Sequence, residues 1–171
     1  GGSTEIITAQ SGAITSSLSI PEGAVTLTSR FNIADEVSDE QIHELTTYIN
    51  TLLKENYTHS PHVDLLIATG GACSALSAMK LKQPEASLLQ QGMLDGYSLS
   101  MQDLQQALIA LSNKNAEARS LIEGIDNERA EIIIAGAALV QCVLRVVGVD
   151  SMVIHTGGVK RGILFQMMGV V

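Results

Sequence analysis

Hydrophobic positions along this chain follow two periods, and the switches between them predict the elements. Residues 5–10 and 13–20 carry Ile, Thr, Ala and Leu on either side of Ser11-Gly12, a dipeptide that signals a hairpin. Two antiparallel strands are predicted there. Pro21-Glu22-Gly23 ends the second, and residues 24–30 fit a third strand or a helix equally well. Over residues 39–57 the period becomes helical, with Ile42, Leu45, Ile49, Leu52 and Leu53 on one face. Ser38 and Gln41 precede that face at capping-box spacing. Residues 63–68, between Pro61 and Gly70, read as a buried strand, and a helix follows over 73–81. Residues 83–97 show no regular period. Ser100 with Asp103 opens a helix to Leu111, and a short one is predicted over 116–122. The longest helical stretch is 127–147, capped by Asp126 and stopped by Gly148. Gly136 inside it costs about 1 kcal/mol relative to Ala, so close packing against a strand or helix is expected there. Residues 152–155 form a last strand, and Gly157-Gly158 opens a final helix to Met168.

Strands separated by helices require crossover connections, which put helices on both faces of a mixed sheet. The chain is therefore expected to be α/β. Its 171 residues, 46% of them hydrophobic, suffice for one core, and no repeat or linker divides residues 1–171. Aromatic residues make up only 3%, so Ile, Leu, Val, Ala and Met must fill that core. Cys73 and Cys142 lie in apolar helical surroundings and read as buried reduced thiols rather than a disulfide framework. No charged segment precedes an apolar stretch at the start, and the longest apolar run, 132–140, is too short to span a bilayer. A soluble cytoplasmic protein with no membrane partner is expected. The formal net charge of −8, without a basic stripe, argues against DNA as a partner. It does not exclude a polyanion held locally by backbone N–H groups, Mg²⁺ and a few cations.

Three glycine-rich turns are where such chemistry would sit: 1–5, 69–72 and 156–158. The last two each follow an apolar strand and precede a helix, where ligands of α/β sheets bind. Any one of them alone is most simply an ordinary turn; three in one domain make an even case for phosphate. In the first, Ser3 and Thr4 add hydroxyl donors, and Glu5 adds a carboxylate that would repel phosphate unless it holds Mg²⁺ or orients water. Alone, Glu5 is more simply an exposed residue at a strand start. His43 falls on the polar side of its helix, and His59 and His62 share a loop with no third ligand, which argues against zinc. His155 ends a strand near Gly157 and is expected as a packed or hydrogen-bonded side chain. Lys160 and Arg161 occupy a first helical turn, where cations oppose the helix dipole and favour an anion; Arg129 is similarly placed but could pair with a nearby carboxylate.

GGSTE at 1–5 resembles the tail of the Asp-x-Gly-Gly-Gly-Ser-x-Glu motif of the Ppx/GppA phosphatases. SLSIPEGAVTLTSRF at 17–31 is similar to that family's serine-leucine-proline-leucine-glycine segment, with Val25-Thr26 where valine-arginine is usual. LLIATGGACSAL at 65–76 resembles its adenosine-type Gly-Gly turn. The run ARSLIEGIDNERAEIIIAGAALVQCVL at 118–144 resembles its arginine-alanine-aspartate region. GGVKRGIL at 157–164 resembles its closing turn, with Lys160-Arg161-Gly162 in place of arginine-glutamate-glycine. The matches run in order along essentially the whole chain.

The resemblance implies a ribonuclease-H-like lobe of the actin-like ATPase superfamily, lacking its usual first strand, whose loss leaves open edges that would pair with another chain or a second copy. It also implies hydrolysis of a terminal phosphoanhydride of polyphosphate or guanosine pentaphosphate, with Mg²⁺. Phosphate would lie between this lobe and a first lobe of the same chain, so the residues 1–171 alone are expected to lack phosphatase activity. In that picture Gly1, Gly2, Ser3 and Thr4 form a phosphate loop, with Glu5 as the catalytic and metal- or water-positioning carboxylate. Gly70, Gly71, Arg129, Gly157 and Gly158 would face nucleotide or phosphate. A non-catalytic actin-like binding module, or a sugar or acetate kinase of the same superfamily, are the alternative readings.

Overall fold

A computed structural model of the chain describes residues 1–57 and 62–170. His59 and Pro61 lie outside the described residues. The hairpin forms as the pattern predicts: β1 (Thr4–Gln10) and β2 (Ala13–Ile20) pair antiparallel, with Ser11 and Gly12 both at positive φ in the turn. The ambiguous 24–30 segment is helix α1 (Ala24–Phe31). Thr26 Oγ1 accepts the Gly23 N–H at 2.8 Å at its start, and Asn32 ends it in the left-handed region. Helix α2 (Asp39–Asn56) begins at the predicted capping box and buries Leu45, Ile49 and Leu53.

The predicted 63–68 strand shortens to β3 (Ile67–Ala68), because only β5 (Ser151–Ile154) pairs with it among the described residues. Helix α3 (Gly71–Leu81) follows directly. The 83–97 region holds α4 (Glu85–Gln90), and β4 (Ser98–Ser100), which the pattern does not reveal, pairs antiparallel with β5. Helix α5 (Met101–Leu111) and the short α6 (Ala116–Ser120) come next.

The single long helix expected over 127–147 is two: α7 (Asn127–Ala130) and α8 (Ile133–Val147). Buried Arg119 is the physical reason. Its Nη1 donates at 2.9 Å to the Ala130 carbonyl, which a continuous helix would give to residue 134. The same guanidinium donates to the carbonyls of Ala34 and Asp35, so it ties three chain segments together. Gly148 stops α8 at φ 80°, as expected. The last helix is α9 (Val159–Met167), entered through Gly158.

Helix α8 is the hub of the core. It is apolar on nearly all sides, and α1, α2, α3 and α5 pack around it. A Cβ on Gly136 would lie 2.8 Å from Ala72 Cβ and 3.7 Å from Ala24 Cβ, so this glycine lets the starts of α1 and α3 each pack closely on α8. Parallel β3 and β5, with antiparallel β4 on the other side of β5, make one mixed sheet flanked by helices. The β1–β2 hairpin stands as a separate sheet. Between β1 and the residues leading into β3 runs a cleft of about 1360 Å³, lined in part by Ile6, Thr8, Leu65 and Ile67. No helix among the described residues is long and apolar enough to cross a membrane.

Candidate functional site

β3 and β5 run parallel in register, with Ala68 opposite Ile154, so the glycine turns that follow them leave the sheet at one end. The His155 N–H donates to the Ala68 carbonyl at 2.8 Å and locks the two exits side by side. Gly70 sits at φ 128°, a backbone conformation that side chains rarely tolerate, and Gly71 starts α3. The Arg129 guanidinium lies over the Gly71 Cα, where any side chain at Gly71 would collide with it. Two residues 58 positions apart in sequence are thereby brought together.

Arg129 does not make the carboxylate ion pair that its sequence context allowed: no salt bridge to it is found among the described residues, and its buried Nε has no partner. Its own backbone N–H is capped by Asp126 Oδ1 at 2.8 Å. Glu85 lies near enough to feel it, but burial pushes the Glu85 carboxyl up despite that attraction, with Asp126 adding repulsion. Among the described residues no carboxylate oxygen lies within ion-pair distance of the Arg129 guanidinium, which sits beside the Gly70–Gly71 turn.

The Gly1–Thr4 segment packs on the start of α1. Val25 N–H donates to the Gly1 carbonyl at 3.2 Å, and Thr4 Oγ1 donates to the Glu22 carbonyl at 2.7 Å. A Cβ on Gly23 would strike the Gly1 carbonyl and come within 2.8 Å of Ser3 N, so glycine is what lets the two segments touch. Ala24, at the start of α1, and Ala72, at the start of α3, both approach Gly136 of α8. Glu5 is exposed, and one of its carboxylate oxygens accepts from Ser3 Oγ at 2.7 Å and Ser19 Oγ at 3.4 Å.

Sequence reasoning missed two carboxylates. Glu22 is buried directly behind the first loop, paired with Arg30 and accepting from Tyr48 Oη at 3.0 Å, while its Oε2 has no partner. Burial raises its pKa, but the Thr26 and Tyr48 hydroxyls and the Arg30 guanidinium together hold it below the usual range. Asp95 caps the carboxyl end of β5 by accepting from His155 and from the Thr156 N–H. An Asp-Gly dipeptide at 95–96 was the available signal, for it marks a turn that could bring a carboxylate to a sheet end. Around the third turn, the exposed Lys160 and Arg161 open α9 beside Gly157 and Gly158. His43 is exposed on α2, as expected, and no group of three metal-ligating side chains occurs among the described residues. Cys73 and Cys142 are buried and free, and burial pushes each thiol up to about 11.

A mixed sheet flanked by helices, with glycine turns at the carboxyl ends of its parallel strands, defines an α/β lobe of the actin-like ATPase fold. A profile of the Ppx/GppA phosphatase family matches residues 1–170, and the chain belongs to that family. It is similar to Exopolyphosphatase 1 of Mycobacterium leprae, at 24% identity over 171 residues, covering 98% of this chain and 49% of that protein. The crystal structure of the Aquifex aeolicus Ppx/GppA phosphatase superposes with a TM-score of 0.85 at 22% identity, over 98% of this chain and 54% of that one. An exopolyphosphatase from Cytophaga hutchinsonii gives 0.78 at 23% identity, over 100% and 55%. The structural likeness establishes the fold. This chain spans about half the length of these relatives.

Proposed function

We propose that this chain is the second lobe of a two-lobe phosphohydrolase that releases the terminal phosphate of inorganic polyphosphate or guanosine pentaphosphate. The observation that carries the reading is the gathering of the glycine turns. Turns 69–72 and 156–158 leave one sheet end together, and the 1–5 turn lies against the start of α1, whose Ala24 approaches Gly136 as Ala72 of α3 does. Phosphoryl transfer needs mainly positioning and stabilisation of spread negative charge, which backbone N–H groups and fixed cations supply. Arg129, held over Gly71 with no carboxylate oxygen at ion-pair distance among the described residues, is the cation best placed for this.

Family membership supports a phosphohydrolase. The choice of substrate and the roles of Gly1–Thr4, Gly70, Gly71, Gly157 and Gly158 are part of the proposal. Glu5 fits a Mg²⁺ partner by its donor chemistry: it is an exposed carboxylate with one oxygen unengaged, and Mg²⁺ is commonly held by one or two carboxylates plus substrate phosphates. When bound, the ion would neutralise developing charge on the phosphate oxygens. Ser3 and Ser19 would keep the Glu5 carboxylate turned toward the loop. In this reading the phosphate lies between this lobe and a first lobe of the same protein, so residues 1–171 alone would hydrolyse nothing.

The test is phosphate release from long-chain polyphosphate, guanosine pentaphosphate and ATP by a polypeptide carrying both lobes, as wild type and as Glu5→Gln. Release from either of the first two, lowered at least ~100-fold by the substitution with the fold intact, is expected for a group acting on the transition state. No release from any substrate, with nucleotide binding retained, would replace the enzyme by a non-catalytic binding lobe. Turnover only with an added acceptor would make it a kinase.

A further inference from the structure

We propose that Glu22 is a positioning residue for the first glycine loop, fixing Gly1–Thr4 from behind through Arg30 and Tyr48. The inference rests on the phosphate reading of that loop and names the side chains that set its place.

The loop rests on one short stretch, the bend at 22–23 and the first turn of α1. The Gly1 carbonyl accepts from the Val25 N–H at 3.2 Å, and Thr4 Oγ1 donates to the Glu22 carbonyl at 2.7 Å. Ser3 N lies 2.8 Å from where a Cβ on Gly23 would sit, and a Cβ on Gly2 would lie 3.8 Å from Thr26 Cγ2. Thr26 Oγ1 accepts the Gly23 N–H at 2.8 Å, which joins the bend to the helix start. Bend and helix start therefore form one seat, and the loop follows it.

Glu22 ties that seat to the core. The residue is only 5% exposed, and its Oε1 pairs with Arg30 of α1 and accepts from Tyr48 Oη of α2 at 3.0 Å. The Arg30 guanidinium lies over the Tyr48 ring, 5.3 Å from its centre, and Phe31 meets the same ring edge-on at 5.4 Å. The bend is thus joined to α2, which packs on the central helix α8. Stability alone is a poor reason for a buried carboxylate. It loses hydration that its partners only partly restore, and a well-packed apolar side chain often serves a fold as well or better. Here Oε2 has no hydrogen-bond partner among the described residues, and the Arg30 side chain is 54% exposed. What the carboxylate supplies is direction: an apolar side chain would fill the space without fixing the bend against Tyr48. Placement matters because a shift of about 1 Å from a distant change can cost ~100-fold in a reaction that depends on positioning.

Backbone amide NMR of the chain, titrated with inorganic tripolyphosphate and Mg²⁺, separates positioning from packing. Tyr48→Phe removes one hydroxyl and keeps the ring. It should weaken tripolyphosphate binding about fivefold and shrink the Gly2 and Ser3 shifts, while Gly157 and Gly158 still respond. Glu22→Ala should weaken binding about tenfold or more, and Glu22→Gln, which keeps an acceptor for Tyr48, should restore part of that loss. Leu108→Ala opens a cavity under α5, away from the loop, and should leave the Gly2 and Ser3 response of the folded protein unchanged. If Tyr48→Phe and Glu22→Ala keep wild-type affinity and shifts, the cluster is packing only and the proposal fails, while the phosphate reading of the loop stands. If Leu108→Ala brings the same loss at Gly2 and Ser3, the effect is general loosening and the proposal fails. If Gly2 and Ser3 of the wild type do not respond, the phosphate reading of the first loop falls, and this inference with it.

Discussion

Gly136 is the position where fold and candidate site depend on the same contact. Replacing it with Ala improves helix propensity inside α8 by about 1 kcal/mol. The new methyl carbon, however, would start 2.8 Å from Ala72 Cβ. Carbon atoms prefer roughly 3.5–4.0 Å, so α3 would have to retreat by about 0.7–1.2 Å. The opposing atom is a Cβ fixed to its backbone, so no rotamer change relieves it. Overpacking of that kind costs about 1–3 kcal/mol, which exceeds the propensity gain over most of its range. Gly136→Ala should therefore lower stability by about 0–2 kcal/mol in urea melts. A double-mutant cycle with Ala72→Gly isolates the clash from both propensity terms. A favourable coupling of about 1–2 kcal/mol is expected, because the second change removes the atom in the way. Additivity within about 0.3 kcal/mol would refute the packing argument, and with it the claim that Gly136 lets the start of α3 close on α8.

Arg119→Met should destabilise the fold by about 3 kcal/mol or more, measured by urea unfolding, because it strips a fully buried donor from the carbonyls of Ala34, Asp35 and Ala130. The folded pKa of Glu22 lies below its ordinary value of 4.5, so its contribution is present above that value and is lost as pH falls through the folded one. Glu22→Gln should therefore flatten the loss of stability on acidification below pH 4.5; an unchanged acid limb would contradict this. Cys73 and Cys142, each with its thiol pushed up to about 11, should resist a disulfide reagent near pH 8 until the chain unfolds. Fast labelling of native protein would contradict their burial.

The fold was legible where one short-range rule decided it. The Ser38–Gln41 box, the Ser11-Gly12 turn and the Gly148 stop all lie where local chemistry predicts them. The errors came from partners distant in sequence. Arg119 takes the Ala130 carbonyl and splits one helix into two, an event that no local pattern records. β4 spans three residues, of which only Leu99 is buried, so its pairing with β5 creates a strand that periodicity cannot show. The 24–30 segment is a helix because Leu27 and Ala24 have α8 to pack against.

The candidate site was legible as glycine, because a turn at a strand end leaves a compositional mark. Its charged parts were less so. Arg129 is a candidate from its place in a first helical turn, but its seat over Gly71 depends on chain segments 58 residues apart. Asp95 and Glu22 act through contacts 60 and 26 residues away and carry no motif.

The central claim is that three glycine turns of this lobe serve one phosphate-bearing ligand. Backbone amide NMR of the chain, titrated with tripolyphosphate and Mg²⁺, tests it most directly. The account predicts saturable shifts at Gly2, Ser3, Thr4, Gly70, Gly71, Gly157 and Gly158 that share one binding curve. Shifts confined to scattered surface lysines, or separate curves for the three turns, would contradict it.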